Sequence, residues 1–363
     1  MVTLSRIVCY NSMTALFLVA TLSACGTTSE VQNNSVAAVP SSGTVDVMAV
    51  GETAAVGTAN ADAADDPAIW RNSADPTASL IVGTDKKAGL HVYSLDGADK
   101  FFIDAGRVNN VDLRDNVRIG DTPGILVAAS DRGDEANAML ALFRLDPATA
   151  KLIPLGKVPA GKGEAYGVCL YRDGQDLSAF MVTKEGSINQ VALDLSGAKP
   201  MGKIVRELKV ETQSEGCVVD ERSARLYVGE EDVGIWRFSA SAHQPTTATA
   251  VAKADGKQLV ADVEGLTIVP EGNGGGYLIA SSQGDNAYSV YKLSDDSYVG
   301  RFRIVKGKFG STEETDGIDF APGSFGPDYP DGIFVAQDGE NEPAAQNFKM
   351  VSWADVKKAL GLQ

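Results

Sequence analysis

A pattern of short strands that recurs about every 50 residues is the feature that most restricts the fold of this chain. From residue 66 to the C-terminus, six groups of β-rich runs follow one another, each opening with an acidic residue or a Gly. The groups open at Asp66, Asp112, Gly167, Gly216, Gly265 and Gly317. Successive openings are 46, 55, 49, 49 and 52 residues apart. A repeat of this length made of short strands is typical of a β-propeller, with one blade per repeat.

We therefore predict an all-β protein with the architecture of a six-bladed β-propeller. Each repeat contains a strongly apolar second strand, predicted at Leu80–Thr84, Gly124–Ser130, Ala179–Thr183, Arg225–Gly229, Gly276–Ser282 and Gly332–Ala336. The strand-like segment Val45–Val50 precedes the first repeat, and we expect it to complete the last blade and close the ring. The alternative is a two-sheet sandwich, which does not explain the regular spacing.

The N-terminus has the pattern of an export signal. Residues 1–24 carry a single charge, and a short apolar run leads into Leu22-Ser23-Ala24-Cys25. A run this short followed by small residues favours a secretory signal over a membrane span. The last four residues also resemble the bacterial lipobox, in which the Cys is acylated. A plain signal peptide cut near Ala24 is the alternative.

These observations predict three segments: a lipoprotein-type signal over residues 1–24, a flexible polar tether over 25–44, and the propeller domain over 45–363. We expect an exported protein of the cell envelope, either an outer-membrane lipoprotein or a periplasmic or secreted protein. A lipid on Cys25 would be its only attachment to a membrane. No feature predicts an oligomer interface, so a monomer is the default expectation.

Two Cys residues remain in the propeller domain, Cys169 and Cys217. They could pair in an oxidising compartment. Because no sequence feature brings their Cβ atoms within bonding reach, we favour two unpaired buried side chains instead.

The charge is strongly acidic: 32 Lys and Arg against 48 Asp and Glu, a net charge of −16. This balance argues against nucleic acid as a partner. The polar residues fall at matching positions of the repeats, near the starts of the inner strands and the ends of the second strands. Because those ends meet at one mouth of a propeller channel, we expect about a dozen carboxylates to gather there.

Carboxylates at such density do not all stay ionised unless a cation neutralises them. Oxygen ligands without His or thiolate favour calcium, with magnesium second. Any single acid of the set could instead be a turn residue. Lys86, Lys87, Arg132 and Lys184 are predicted at the same mouth, where they could balance the acids or form an anion receptor.

The sequence lacks the residues and motifs that other catalytic schemes need. The chain has two His residues, His91 and His243, both outside the predicted mouth, and it has no phosphate-binding GxxxxGK[ST] loop. Metal-assisted hydrolysis remains.

Long strings of the sequence closely resemble the β-propeller phytases, from about Val45 to the C-terminus. They include DAADDPAIW (62–70), GTDKKAGLHVYSLDG (83–97), SEGCVVDE (214–221), GEEDVGIWRFSA (229–240), DVEGLTI (262–268), TDGID (315–319) and FVAQDGEN (334–341). The resemblance implies a six-bladed propeller and calcium-dependent hydrolysis of phosphate monoesters of phytate, taken as its calcium complex. It also implies attack by a calcium-bound water or hydroxide without a phosphoenzyme.

The residue roles follow from this resemblance and from the mouth positions. The residues expected to grip phosphate are Lys86, Arg132, Tyr166 and Lys184. Further substrate-binding candidates are Lys87, Glu185, Asn109 and Asn110. The candidate ligands of several calcium ions are Asp65, Asp66, Glu215, Glu230, Asp262, Glu264, Asp316, Gln337 and Asp338. Gly310 stands where the resemblance leads us to expect an Asp, which puts one structural calcium site in doubt.

Two further functions stay open at this point. A calcium-dependent propeller could hydrolyse another ester or a lactone, and a non-catalytic envelope lipoprotein could bind a ligand at its mouth. The set of cations beside the carboxylates favours the phosphatase, whereas the propeller fold alone does not discriminate.

Overall fold

The computed structural model describes residues 43–362. Within this range it contains 25 β-strands in six sheets, two short 3-10 helices (Pro76–Ala78 and Gln283–Asp285) and one α-helix. The predicted signal, Cys25 and nearly all of the tether lie outside the described residues.

The chain enters through β1 (Thr44–Met48) and β2 (Gly51–Glu52) and then builds its blades in order. Blade one consists of β3 (Ala64–Trp70), β4 (Leu80–Asp85), β5 (Gly89–Ser94) and β6 (Asp99–Asp104). Blade two consists of β7 (Val108–Ile119), β8 (Thr122–Asp131), β9 (Asn137–Asp146) and β10 (Lys151–Lys162). Blade three consists of β11 (Ala165–Asp173), β12 (Asp176–Thr183), β13 (Ser187–Asp194) and β14 (Met201–Lys209).

Blade four consists of β15 (Ser214–Asp220), β16 (Arg225–Glu230), β17 (Gly234–Ser239) and β18 (Thr249–Lys253). Blade five consists of β19 (Val263–Glu271), β20 (Gly275–Ser282), β21 (Ala287–Lys292) and β22 (Tyr298–Val305). Blade six contains β23 (Ile318–Pro322), β24 (Gly332–Asp338) and β25 (Asn347–Ser352). Helix α1 (Trp353–Leu360) follows and buries Trp353 and Val356. Within the described residues, no helix is long and apolar enough to span a membrane.

The six sheets form a six-bladed β-propeller, which confirms the predicted fold. Apart from β1 and β2, the strands of each sheet pair in chain order, and the first strands β3, β7, β11, β15, β19 and β23 contact one another around the ring. Every predicted second strand lies within an observed one. The strand register corrects one repeat opening: Asn110 is equivalent to Asp66, and the predicted opening Asp112 lies two residues further on.

The ring is closed by a different segment from the one predicted. Strand β2 pairs with β25, the last strand of the sixth blade, and the chain then continues into the first blade. Strand β1 instead runs parallel to β22 on the outside of the fifth blade. The prediction that Val45–Val50 completes the last blade is therefore wrong for its first four residues. Val45 and Val47 belong with β22 because they pack into the apolar cluster between blades five and six.

The core consists of six buried apolar clusters in the described residues, one between each pair of neighbouring blades. Middle strands therefore have apolar neighbours on both faces, and β4 and β24 are buried along their whole length. This explains why the second strands are the most continuously apolar segments of the repeats.

Glycines at the openings of four repeats allow the inner strands to approach each other closely. A Cβ added at Gly167, Gly216, Gly265 or Gly317 would lie 1.9–2.6 Å from a backbone carbonyl oxygen of the next inner strand. Two of these contacts are also hydrogen bonds, because the N–H groups of Gly265 and Gly317 donate to the carbonyls of Asp316 (2.7 Å) and Asp65 (2.9 Å). At these four openings the approach of the neighbouring backbone leaves no room for a Cβ, which is why they are glycines.

The same close approach explains the cysteines. Cys169 on β11 and Cys217 on β15 form a disulfide between blades three and four, with Cα atoms 5.8 Å apart. The expectation of two unpaired side chains is wrong, because neighbouring inner strands bring their Cβ atoms within reach.

Replacement of Gly216 by Ala tests this account of the inner ring. The new Cβ would lie 2.2 Å from the Glu264 carbonyl oxygen, so we expect the free energy of unfolding to fall by about 3 kcal/mol. Gly197→Ala is the matched control, since its Cβ would meet no atom closer than 3.5 Å. Equal melting temperatures for the two variants would contradict a packing role for the glycine.

Candidate functional site at the channel mouth

Each blade contributes one side chain from the start of its inner strand to the mouth of the channel. In blades one to five the register of the first two strands breaks at this point, as in a β-bulge, and a bulge re-aims a side chain. The six side chains are Asp65, Asn109, Tyr166, Glu215, Glu264 and Asp316. All six were predicted at the mouth.

A second set of side chains follows the ends of the second strands. In five blades the first residue after the second strand donates its backbone N–H to a carbonyl oxygen of the loop that precedes the inner strand, at 2.7–3.0 Å. These residues are Lys86, Arg132, Lys184, Glu231 and Gln283. Because the backbone bond is the same each time, the five positions are structurally equivalent, and their side chains lie beside the first set.

Three carboxylates form the most concentrated negative charge of the mouth. Glu215, Glu231 and Glu264 are buried, and each offers an oxygen within 4.8 Å of the others. Oε1 of Glu231 and Oε2 of Glu264 have no hydrogen-bond partner among the described residues. Burial, together with the neighbouring carboxylates, raises the pKa of Glu215 and Glu264 well above the usual range. Burial raises the pKa of Glu231 to about 7. Buried oxygens without partners and with such a charge fit a divalent cation.

A lysine ammonium holds the carboxylates on the other side of the ring. Nζ of Lys86 lies 2.8 Å from Asp62, 3.0 Å from Asp65 and 2.9 Å from Asp316. Burial alone would lower the pKa of Lys86, but these carboxylates outweigh it and raise the pKa. Burial raises the pKa of Asp316 to about 7 against the opposing effect of Lys86. Lys86 is therefore a permanent positive charge.

Two further cations stack on an aromatic ring. The guanidinium of Arg132 lies 5.9 Å and the ammonium of Lys184 lies 5.2 Å from the centroid of Tyr166. Arg132 contacts Glu164 at 3.4 Å, and its buried Nε has no partner in the described part of the chain. Burial and nearby carboxylates raise the pKa of Tyr166, so its hydroxyl stays protonated. Together these groups present donors to an anion.

Two buried amides orient the carboxylates. Nδ2 of Asn109 donates to Glu215 at 2.8 Å and to Asp65 at 3.3 Å. Asn110, with its amide nitrogen turned toward Glu215, donates to that carboxylate at 2.7 Å and to the Tyr166 carbonyl at 3.1 Å. Their contact with substrate stays a prediction.

A cavity of about 770 Å³ opens above these groups. Its lining includes Lys86, Tyr166, Glu231, Glu264 and Asp316, and also the predicted ligand Asp262, which is half-buried. Lys87 and Glu185 are exposed and are not among its lining residues. The backbone N–H of Lys87 donates to Asp85 at 3.1 Å, and the Glu185 carboxylate accepts from the backbone of Glu164 at 3.4 Å.

Comparison with known proteins identifies the group to which this propeller belongs. The model of the family described as Phytase matches residues 11–363.

This chain belongs to the phytase family.

The 3-phytase of Bacillus subtilis (strain 168) is 42% identical over 315 residues, which covers 83% of this chain and 82% of the relative. A chain of the solved Mitotic Checkpoint Complex aligns over 93% of this chain and 89% of its own length at 11% identity. Its TM-score of 0.47 is too low to inform on fold or function. As a member of the phytase family, the chain is an enzyme.

Four predicted metal ligands of this phytase-family chain have partners in the protein that occupy their side chains. The first is Glu230, whose Oε1 accepts from the backbone of Glu211 and Thr212 and whose Oε2 accepts from the Trp236 indole at 2.6 Å. The neighbouring Glu231 belongs to the triad, and a metal-binding role for Glu230 stays a prediction. The equivalence of Glu231 with Lys86, Arg132 and Lys184 in the repeat is the signal that identifies it in the sequence.

The other three have structural partners as well. Asp66 accepts from the backbone of Val111 at 3.0 Å and lines a separate cavity of about 440 Å³ further along the inner strands. Gln337 accepts from the backbone N–H of Asp316 at 2.8 Å and donates to the Ala64 carbonyl at 3.2 Å. Asp338 pairs with Lys349 at 2.9 Å. Asp62, which the sequence reasoning missed, contacts Lys86.

The raised pKa values predict how the cation-free phytase responds to pH. The folded state holds protons on Glu231 and Asp316 up to about pH 7, whereas the unfolded chain releases them near pH 4. The contribution of these groups to stability is therefore complete below about pH 4 and is lost as pH rises to about 7.

In excess chelator we expect the melting temperature to fall between about pH 5 and pH 8, with about 1–3 kcal/mol due to Glu231. Glu231→Gln should flatten this fall in calorimetric scans. A melting temperature that rises over the same range, or an unchanged slope in the variant, would contradict the prediction.

Proposed function

We propose that this chain hydrolyses phosphate monoesters of phytate, taken as its calcium complex, and that it requires calcium. The observation that carries the proposal is the juxtaposition of the triad Glu215, Glu231 and Glu264 with three cations at one mouth. The triad needs a cation, and the neighbouring Arg132 and Lys184 suit an anion. A metal-loaded mouth that also binds phosphate meets both requirements.

The donor set of the mouth fits calcium. The residues that would hold it are the triad, with Asp65, Asp262 and Asp316 beside it, and all of them offer oxygen. Bound calcium would supply positive charge that neutralises phosphate, polarises its oxygens and activates water. Two of the triad oxygens are buried without a partner among the described residues, which supports this assignment.

The protein groups have the task of binding and orienting phosphate. Arg132 and Lys184 would bind phosphate oxygens from their positions over the Tyr166 ring. The protonated Tyr166 hydroxyl would add a neutral donor. Lys86 is held by three carboxylates. Its positive charge would therefore stay in place when substrate binds and product leaves. Asn109 and Asn110 keep Glu215 in position.

The alternatives agree less well with this geometry. A neutral ester or lactone would not need the two cations stacked on Tyr166, and the buried Nε of Arg132 would remain without a partner. A non-catalytic ligand-binding role is opposed by membership in an enzyme family.

Phosphate release from calcium–phytate by the purified propeller domain tests the proposal. We expect activity with calcium and none in excess chelator. Arg132→Ala should raise KM about 10-fold or more, because a charge-assisted hydrogen bond contributes roughly 1.5–3 kcal/mol, and should affect kcat less. Arg118→Ala, on the exposed surface, is the control. Undiminished activity in chelator would refute the calcium requirement.

The neighbours Glu230 and Glu231 provide a matched test of the metal site. Glu231→Gln should raise the calcium concentration for half-maximal activity by about 10-fold or more, because it removes a ligand charge. Glu230→Gln should instead lower the free energy of unfolding by about 1–2 kcal/mol through its backbone and indole contacts, with unchanged calcium dependence. The reverse pattern would move the metal site to Glu230.

We also propose that the enzyme is exported and anchored through a lipid on Cys25. The Cys169–Cys217 disulfide supports an oxidising compartment. Metabolic labelling with a radioactive fatty acid should label the full chain but not Cys25→Ala. An unlabelled wild type, or label retained by the variant, would exclude the anchor.

A further inference from the structure

A buried lysine lies at the point where the ring closes, and it is not one of the mouth residues described above. Lys349 on β25 is 0% exposed. Its Nζ contacts Glu52 Oε2 at 2.8 Å, Asp338 Oδ2 at 2.9 Å, Asn341 Oδ1 at 3.0 Å and Asn347 Oδ1 at 2.8 Å. Four oxygens surround a group that has three N–H donors.

The chemistry of these four oxygens is that of a metal site. Two carboxylates and two amide carbonyls are hard oxygen ligands, the kind that calcium prefers in proteins. Their formal charge is −2, which a divalent cation would cancel and which the single charge of Lys349 cancels by half. The excess of acceptors over donors points the same way.

The position of the cluster gives it a structural task. Glu52 belongs to β2, Asp338 ends β24, Asn341 lies in the following loop, and Asn347 begins β25. The ammonium therefore joins the N-terminal strand to the last blade. Asn347 strengthens the junction, because its Nδ2 donates to the Thr53 carbonyl at 3.1 Å.

A glycine leaves room for this lysine. A Cβ at Gly310 would lie 3.2 Å from Cε and 3.3 Å from Nζ of Lys349, and 3.9 Å from Oδ2 of Asp338. A side chain at position 310 would therefore press on the lysine. With glycine at this position, the end of the lysine side chain keeps its place among the four oxygens without having to shift.

We propose that the Lys349 ammonium is a built-in cation that occupies a divalent metal site at the ring closure. The closure therefore needs no dissolved calcium, whereas the mouth does. Removal of the lysine side chain converts the cluster of Glu52, Asp338, Asn341 and Asn347 into a calcium site.

Lys349→Ala tests this proposal through stability and ion counting. In excess chelator its melting temperature should lie roughly 5–15 °C below that of the wild type, because the buried Asp338 carboxylate and the partly exposed Glu52 carboxylate lose their partner. Calcium should raise the melting temperature of the variant more than that of the wild type, and isothermal titration should count one more ion per chain. The control Lys349→Ala with Asp338→Asn should lose both effects. A folded Lys349→Ala with the wild-type calcium response and ion count would overturn the proposal.

Glu52→Gln keeps the lysine and covers the case in which Lys349→Ala does not fold. If Lys349 is the cation of this site, Glu52→Gln loses the same amount of stability relative to the wild type in chelator and in calcium. A loss seen only in calcium would show that a metal ion holds the closure and would contradict the proposal. Both readouts are independent of phytate hydrolysis, so they stand whether or not the proposed activity is found.

Discussion

The close approach of neighbouring inner strands is the constraint on which the rest of this structure depends. Glycines at the repeat openings let each strand contact the carbonyls of the next, and the disulfide between Cys169 and Cys217 forms across the same narrow gap. Bulges at the starts of the inner strands in blades one to five turn one polar side chain per blade toward the mouth, and Asp316 in blade six lies there without a bulge. A packing requirement of the propeller thus creates the ring of functional groups.

Carboxylates gathered in this way repel one another, and the described residues show two different arrangements around them. At the ring closure and beside Asp316, the lysines Lys349 and Lys86 neutralise carboxylates from within the chain. In the triad around Glu264, two buried oxygens have no partner among the described residues. The described residues thus include carboxylates that have a lysine partner and others whose oxygens have no hydrogen-bond partner.

The sequence was sufficient to predict the six blades, because spacing and apolar runs are local properties of each repeat. It was also sufficient for the mouth residues of the inner strands. It did not show which way a side chain points: Glu230 and Glu231 differ by one position, and Glu231 is the one that joins the triad. It did not show that Asp338 pairs with a lysine on the next strand, and it was wrong on the pairing of Cys169, which depends on strand proximity in the ring.

The central claim is that the Glu215, Glu231 and Glu264 triad binds a removable cation while Lys349 permanently replaces one. Anomalous diffraction from crystals grown with calcium tests both halves at once. The account predicts a strong peak among the three glutamates and none beside Lys349. A mouth without a peak, or a peak within contact of Glu52 and Asp338 in the wild-type protein, would contradict it.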